Sequence, residues 1–93
     1  MTINSGQAPV LDRAIVVATI VAAAAAQASC KPEEIGGDDR LMGEVGLDST
    51  SILDLLMTVE EDLDIELDVD SLLRQDLETP QTLADYIIRQ SGE

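Results

Sequence analysis

The chain has no histidine, tryptophan or phenylalanine, one cysteine, and one aromatic residue, Tyr86. Each absence removes a class of chemistry. Without histidine there is no ordinary base for a nucleophilic serine or cysteine, and the commonest nitrogen ligand for zinc is missing. A lone Cys30 cannot close an internal disulfide, so a reducing, cytoplasmic setting is expected. Bases are scarce as well: five Lys and Arg stand against 19 Asp and Glu, for a net charge of −14. Nucleic-acid binding draws most of its affinity from a basic patch, and this composition argues against it. The same excess of acids favours partners with basic surfaces, reached through electrostatic steering.

What remains is aliphatic. Apolar residues make up 45% of the 93 residues, enough for one small domain spanning residues 1–93 with a core of Leu, Ile, Val and Ala. Residues 14–26 form an apolar run, and the "AQAS" before Cys30 resembles a signal-peptidase site. The basic leader of an export signal is missing, because Asp12 offsets Arg13. A bilayer span needs roughly 20 apolar residues. Five consecutive alanines, residues 22–26, favour a soluble helix. An exported protein is thus the weaker expectation, and no membrane association is expected.

Residues 1–7 are polar and are expected to fray. A first helix is predicted from about Pro9 to Ser29, with Leu11, Ala14, Ala18, Val21 and Ala25 on one face and Arg13, Val16, Ile20 and Gln27 opposite. Four glycines and Pro32 then break the chain, so residues 30–47 read as a long ordered loop pinned by Ile35, Leu41, Met42, Val45 and Leu47. The second helix has the clearest pattern. Asp48 suits its N-cap. At about 100° per residue, Ile52, Leu55, Leu56, Val59 and Leu63 share one arc. Thr50, Leu53, Asp54, Met57 and Glu61 lie opposite, with Ser49 and Glu60 at the edge. An exposed Leu53 and Met57 have little purpose on a merely structural helix.

"DLDIELDVD", residues 62–70, alternates like a strand but would have no ladder partner. An extended connection with Ile65 and Leu67 inward is predicted instead. Its acids, Asp62 to Asp70, have the alternate spacing of a calcium loop. The sixth position, which needs glycine, is Leu67, and the twelfth, which needs glutamate, is Leu73. An EF-hand is therefore rejected and no metal site is expected: the run reads as solvated charge, with loose, low-affinity cation binding as the alternative. A short helix over residues 70–75 and a last helix, capped by Thr79 with Pro80 at its first position, complete the chain. That helix should run to about Gln90 and bury Leu83, Tyr86 and Ile87.

Two serines follow aspartates, Ser49 in "GLDSTS" and Ser71 in "VDSLL". Neither has a base or a nucleophile-elbow sequence, so neither is expected to be catalytic. A serine modified by another enzyme needs exposure, an element's edge and a flanking docking surface, and Ser49 has all three. "GEVGLDS" followed by "ILDLLMTVEEDLDIEL" resembles the acyl carrier proteins of fatty-acid, polyketide and peptide biosynthesis. "KPEEI" is similar to the segment at the entry to that family's first loop, and "TPQTLADYI" to its final helix. The resemblance runs from the first helix to the last. It implies an all-α bundle of three main helices and one short one.

It also implies that Ser49, preceded by Asp48, carries covalent 4′-phosphopantetheine derived from coenzyme A, whose thiol holds acyl or aminoacyl groups as thioesters. A phosphopantetheinyl transferase would attach the arm. Acyltransferases, ligases or synthases with basic surfaces would then dock on Thr50, Leu53, Asp54, Met57, Glu60 and Glu61. Ser71 falls where the family has its third helix and is read as a cap or first-turn residue. Thr50 departs from the aliphatic residue common after the family's serine. That departure points to a dedicated pathway, polyketide or nonribosomal-peptide biosynthesis, while the resemblance as a whole implies a discrete, monomeric carrier that is not itself an enzyme. A fatty-acid or D-alanyl carrier and a non-covalent acidic adaptor are the alternatives.

Overall fold

The computed structural model of the chain describes residues 12–92. The expected fraying of residues 1–7 and the helix start at Pro9–Leu11 lie outside them. The fold is all-helical, with no strand among the described residues. Its three helices are α1 (Arg13–Ala28), α2 (Ser49–Leu63) and α3 (Pro80–Gly92), joined by segments that carry short 3-10 turns. Helix α1 packs against both α2 and α3. No helix among the described residues is long and apolar enough to cross a membrane.

Asp12 caps α1 by accepting the Ala14 N–H at 2.9 Å. The helix ends at Ser29, which is left-handed at φ 58°, a conformation that costs a non-glycine residue roughly 1–2 kcal/mol. The buried side of α1 differs from the expected face. Val16 and Ile20, placed opposite, are fully buried, while Ala14 and Ala18 are exposed. Val21 and Ala25 are buried as expected, and Ala23 and Ala24 join them. The cause is twofold: an alanine-rich helix has little contrast between faces, and α1 must serve two partner helices. Near its start Arg13 pairs with Asp85 and donates to Gln81 Oε1 at 2.7 Å, tying α1 to α3.

In the long loop, Pro32–Glu34 makes one 3-10 turn. Ile35, Leu41 and Leu47 are buried, and Val45 packs against the core from a half-buried position. Met42 does not pin the loop; it stands 47% exposed. The loop is laced to the entrance of α3, where Leu41 N–H donates to the Glu78 carbonyl at 2.8 Å and Gln81 N–H to the Gly37 carbonyl at 3.1 Å. These bonds satisfy backbone groups that a long irregular segment would otherwise leave unpaired.

Helix α2 buries Ile52, Leu55, Leu56 and Val59, the predicted arc, with Leu63 partly buried at its end. Residues 64–68 run on without helix or strand; Leu67 is buried, Ile65 partly so, and the alternating acids are exposed. The short helix expected over residues 70–75 is instead two 3-10 turns, Val69–Ser71 and Arg74–Leu77. Asp76 shapes the second by accepting the Leu73 N–H at 3.0 Å. Thr79 and Thr82 then exchange backbone-to-hydroxyl bonds of 2.9 and 3.1 Å, in the manner of a capping box, and start α3. Pro80, Leu83, Ala84, Tyr86 and Ile87 are buried along it.

Candidate functional site

The approach to Ser49 is built by three residues. Gly46 has φ +86°, and a Cβ there would meet nothing within 4 Å, so glycine is needed for its backbone angle and not for space. Leu47 turns into the core. Asp48 is extended and caps α2: its Oδ1 accepts the Ser51 N–H at 2.9 Å and its carbonyl accepts Ile52 N–H at 2.9 Å. The Ser51 amide, helped by the Ser51 hydroxyl, holds the Asp48 carboxyl below its ordinary value of 3.8. Asp48 is therefore an ionised cap, engaged with the helix and not with its neighbouring serine.

Ser49 is the first residue of α2 and is exposed. Its hydroxyl has no hydrogen-bond partner among the described residues. Ser71 is the opposite case. Its Oγ donates to the Asp68 carbonyl at 3.0 Å and meets the Tyr86 hydroxyl at 2.5 Å. Tyr86 in turn donates to the same carbonyl at 2.9 Å. One serine is free at the mouth of a helix, and the other is fastened to the wall of the core.

A cavity of about 240 Å³ opens beside Ser49 between α2 and the 3-10 turns, with Ile52, Leu53, Leu56, Met42, Leu72 and Leu77 completing its wall. It is apolar and begins at the serine, so the residues present fit a long flexible group attached at Ser49 Oγ. The first amides of α2 and the positive end of its dipole also favour a phosphate there.

The pattern of exposed glycine turn, ionised cap, free serine and amphipathic helix has a match. Residues 18–87 fit the family described as a phosphopantetheine attachment site. The chain belongs to that family. Its members carry 4′-phosphopantetheine covalently, act as carriers without chemistry of their own, and work with phosphopantetheinyl transferases and synthetic enzymes. The expected bundle of the acyl carrier family agrees with the three helices found here.

Around this carrier's free serine, Thr50, Asp54 and Glu61 are exposed, and Leu53 and Met57 stand 52% and 58% exposed. These five share the outer side of α2. Glu60 is set apart. It is half-buried, and its Oε2 accepts the Leu67 N–H at 2.7 Å, so it braces the connection after α2. Met42 is the neighbour that sequence reasoning misplaced, and Leu72 and Leu77 are the ones it left out. They come from two separate loops, and no periodicity links them to residue 49.

Proposed function

We propose that Ser49 bears the 4′-phosphopantetheine arm and that the chain carries acyl or aminoacyl groups as thioesters in polyketide or nonribosomal-peptide biosynthesis. The observation that carries the attachment site is the contrast between the two Asp-Ser pairs: Ser49 Oγ is exposed and unpartnered among the described residues, whereas Ser71 Oγ is bonded to Asp68 and Tyr86. In the attachment, Ser49 Oγ forms a new bond to the phosphorus that links the arm to the nucleotide of coenzyme A. The bond from that phosphorus to the nucleotide phosphate breaks, and the hydroxyl proton passes to a base of the transferase. Asp48 does not take that proton in this reading, since its carboxylate is engaged by Ser51. When bound, the arm supplies the thiol on which cargo is held.

The chain's own part is presentation. Asp48 keeps the first turn of α2 wound, so Ser49 is offered on a rigid edge. Asp54 and Glu61 steer basic partner surfaces, while Leu53, Met57 and Thr50 supply contact and selectivity. Exposed ion pairs contribute only about 0–1 kcal/mol each, which suits a carrier that must leave one enzyme for the next. Thr50, where an aliphatic residue is usual, favours a dedicated pathway over general fatty-acid synthesis. The lone half-buried Cys30 supports a reducing, cytoplasmic setting. The test is intact mass after incubation with a broad-specificity transferase and coenzyme A. Wild type should gain one phosphopantetheine and Ser49→Ala none; an unmodified wild type would favour the non-covalent adaptor instead.

A further inference from the structure

Beside the cavity at Ser49 lies a roomier one, about 720 Å³, which shares Met42 and Leu77 with it. Arg40 and Arg74 line this larger space. They are two of only five basic residues in a chain of net charge −14. Neither is in an ion pair among the described residues; the pairs there use Arg13 and Arg89. Glu78 lies in the same wall, so the lining is positive by one charge, in a molecule that is strongly negative elsewhere. From Ser49 outward the walls thus run from apolar (Ile52, Leu56) through Met42 and Leu77 to two guanidinium groups.

We infer that this groove selects a cargo with an anionic far end: an acyl chain whose first carbons lie against Met42 and Leu77 and whose distal carboxylate meets Arg40 and Arg74. The inference rests on Ser49 carrying the arm. Charge complementarity singles out the chain's own cargo as the occupant. A free anion or an acidic partner approaches against the field of the whole acidic surface, and two arginines beside a glutamate do little to reverse that. A tethered carboxylate meets the same field, but attachment at Ser49 holds it near the arginines at high effective concentration, which offsets that cost. Guanidinium groups also suit carboxylates geometrically, offering paired N–H donors. A purely apolar acyl chain would gain from the nearer cavity but would leave both arginines without a partner.

The experiment loads the arm directly with two chain-matched groups, by giving the transferase hexanoyl- or adipoyl-coenzyme A. Adipoyl cargo should move the side-chain Nε resonances of Arg40 and Arg74. It should also slow thioester cleavage by hydroxylamine about tenfold relative to hexanoyl, the scale of a charge-assisted hydrogen bond at a partly open site. Arg40→Gln with Arg74→Gln should erase the difference, and the Lys pair should restore part of it. Both arginines are exposed, so these variants keep the fold. Equal protection of the two cargoes, or stronger protection of hexanoyl, overturns the inference while leaving attachment intact. A wild-type chain that gains no mass at Ser49 defeats the attachment reading, and this inference with it.

Discussion

Glu60 Oε2 accepts the Leu67 N–H at 2.7 Å, joining the last turns of α2 to the acidic connection that follows. Its neighbour Glu61 is exposed and makes no side-chain bond of this kind among the described residues. Two adjacent glutamates therefore have different duties. Glu60→Ala should destabilise by about 1–3 kcal/mol, because a buried amide loses a charged acceptor. Glu61→Ala should stay within about 0.5 kcal/mol of wild type, as exposed substitutions usually do. Urea unfolding of both variants checks this. Charge reversal aimed at docking alone is cleaner at Asp54 and Glu61, where slower partner transfer should recover at high salt only as far as screening masks wild-type steering too.

Tyr86 holds the other end of the same connection. Its hydroxyl donates to the Asp68 carbonyl at 2.9 Å and meets Ser71 Oγ at 2.5 Å. Tyr86→Phe should cost about 1–2 kcal/mol, the size of lost neutral hydrogen bonds at a half-buried site. Ser71→Ala should cost less and should still accept the arm fully at Ser49. Thermal melts and intact mass measure the two effects separately.

The phase of α2 has a sharp test in adjacent residues. Leu56 is buried and Met57 is 58% exposed. Leu56→Ala should cost about 2–5 kcal/mol, whereas Met57→Ala should leave stability nearly unchanged and weaken partner transfer. Equal losses would mean that α2 is rotated from the face assigned to it.

Asp48 makes the site sensitive to acid. Its carboxyl is held below 3.8 chiefly by the Ser51 N–H, so the folded state favours the ionised form. That contribution is complete above the unfolded value and is lost as pH falls through the lower folded value. The melting temperature of Asp48→Ala should therefore lie below that of wild type near neutral pH, with the gap narrowing on acidification. A constant gap would assign the cap's effect to its shape and not to its charge.

The parts of this molecule that were legible from sequence are those where one local rule sufficed. In α2, Ile52, Leu55, Leu56 and Val59 alternate with polar residues at helical spacing, and Asp48 marks the start; both features hold in the structure. In α1, alanine on every side blurred the pattern. Burial of Val16 and Ile20 follows from contact with two helices, a fact of assembly that no single-helix pattern contains. Residues 70–75 offered an aspartate cap and two leucines, yet backbone bonds from Asp68, Leu73 and Asp76 close two tight turns there instead. The place of Ser49, exposed at the start of α2, was legible from its motif. Its cavity was not, since Met42, Leu72 and Leu77 approach Ser49 only once both loops are folded.

The most direct test is where the arm sits. "DSTS" presents three hydroxyls in a row, Ser49, Thr50 and Ser51, and Ser71 offers a fourth. Fragment-ion mapping of the modified protein resolves them. The account predicts a single phosphopantetheine on Ser49, with none on Thr50, Ser51 or Ser71, and a Ser71→Ala variant modified as completely as wild type. An adduct on Ser71, or a Ser49→Ala variant that still accepts the arm, would contradict it.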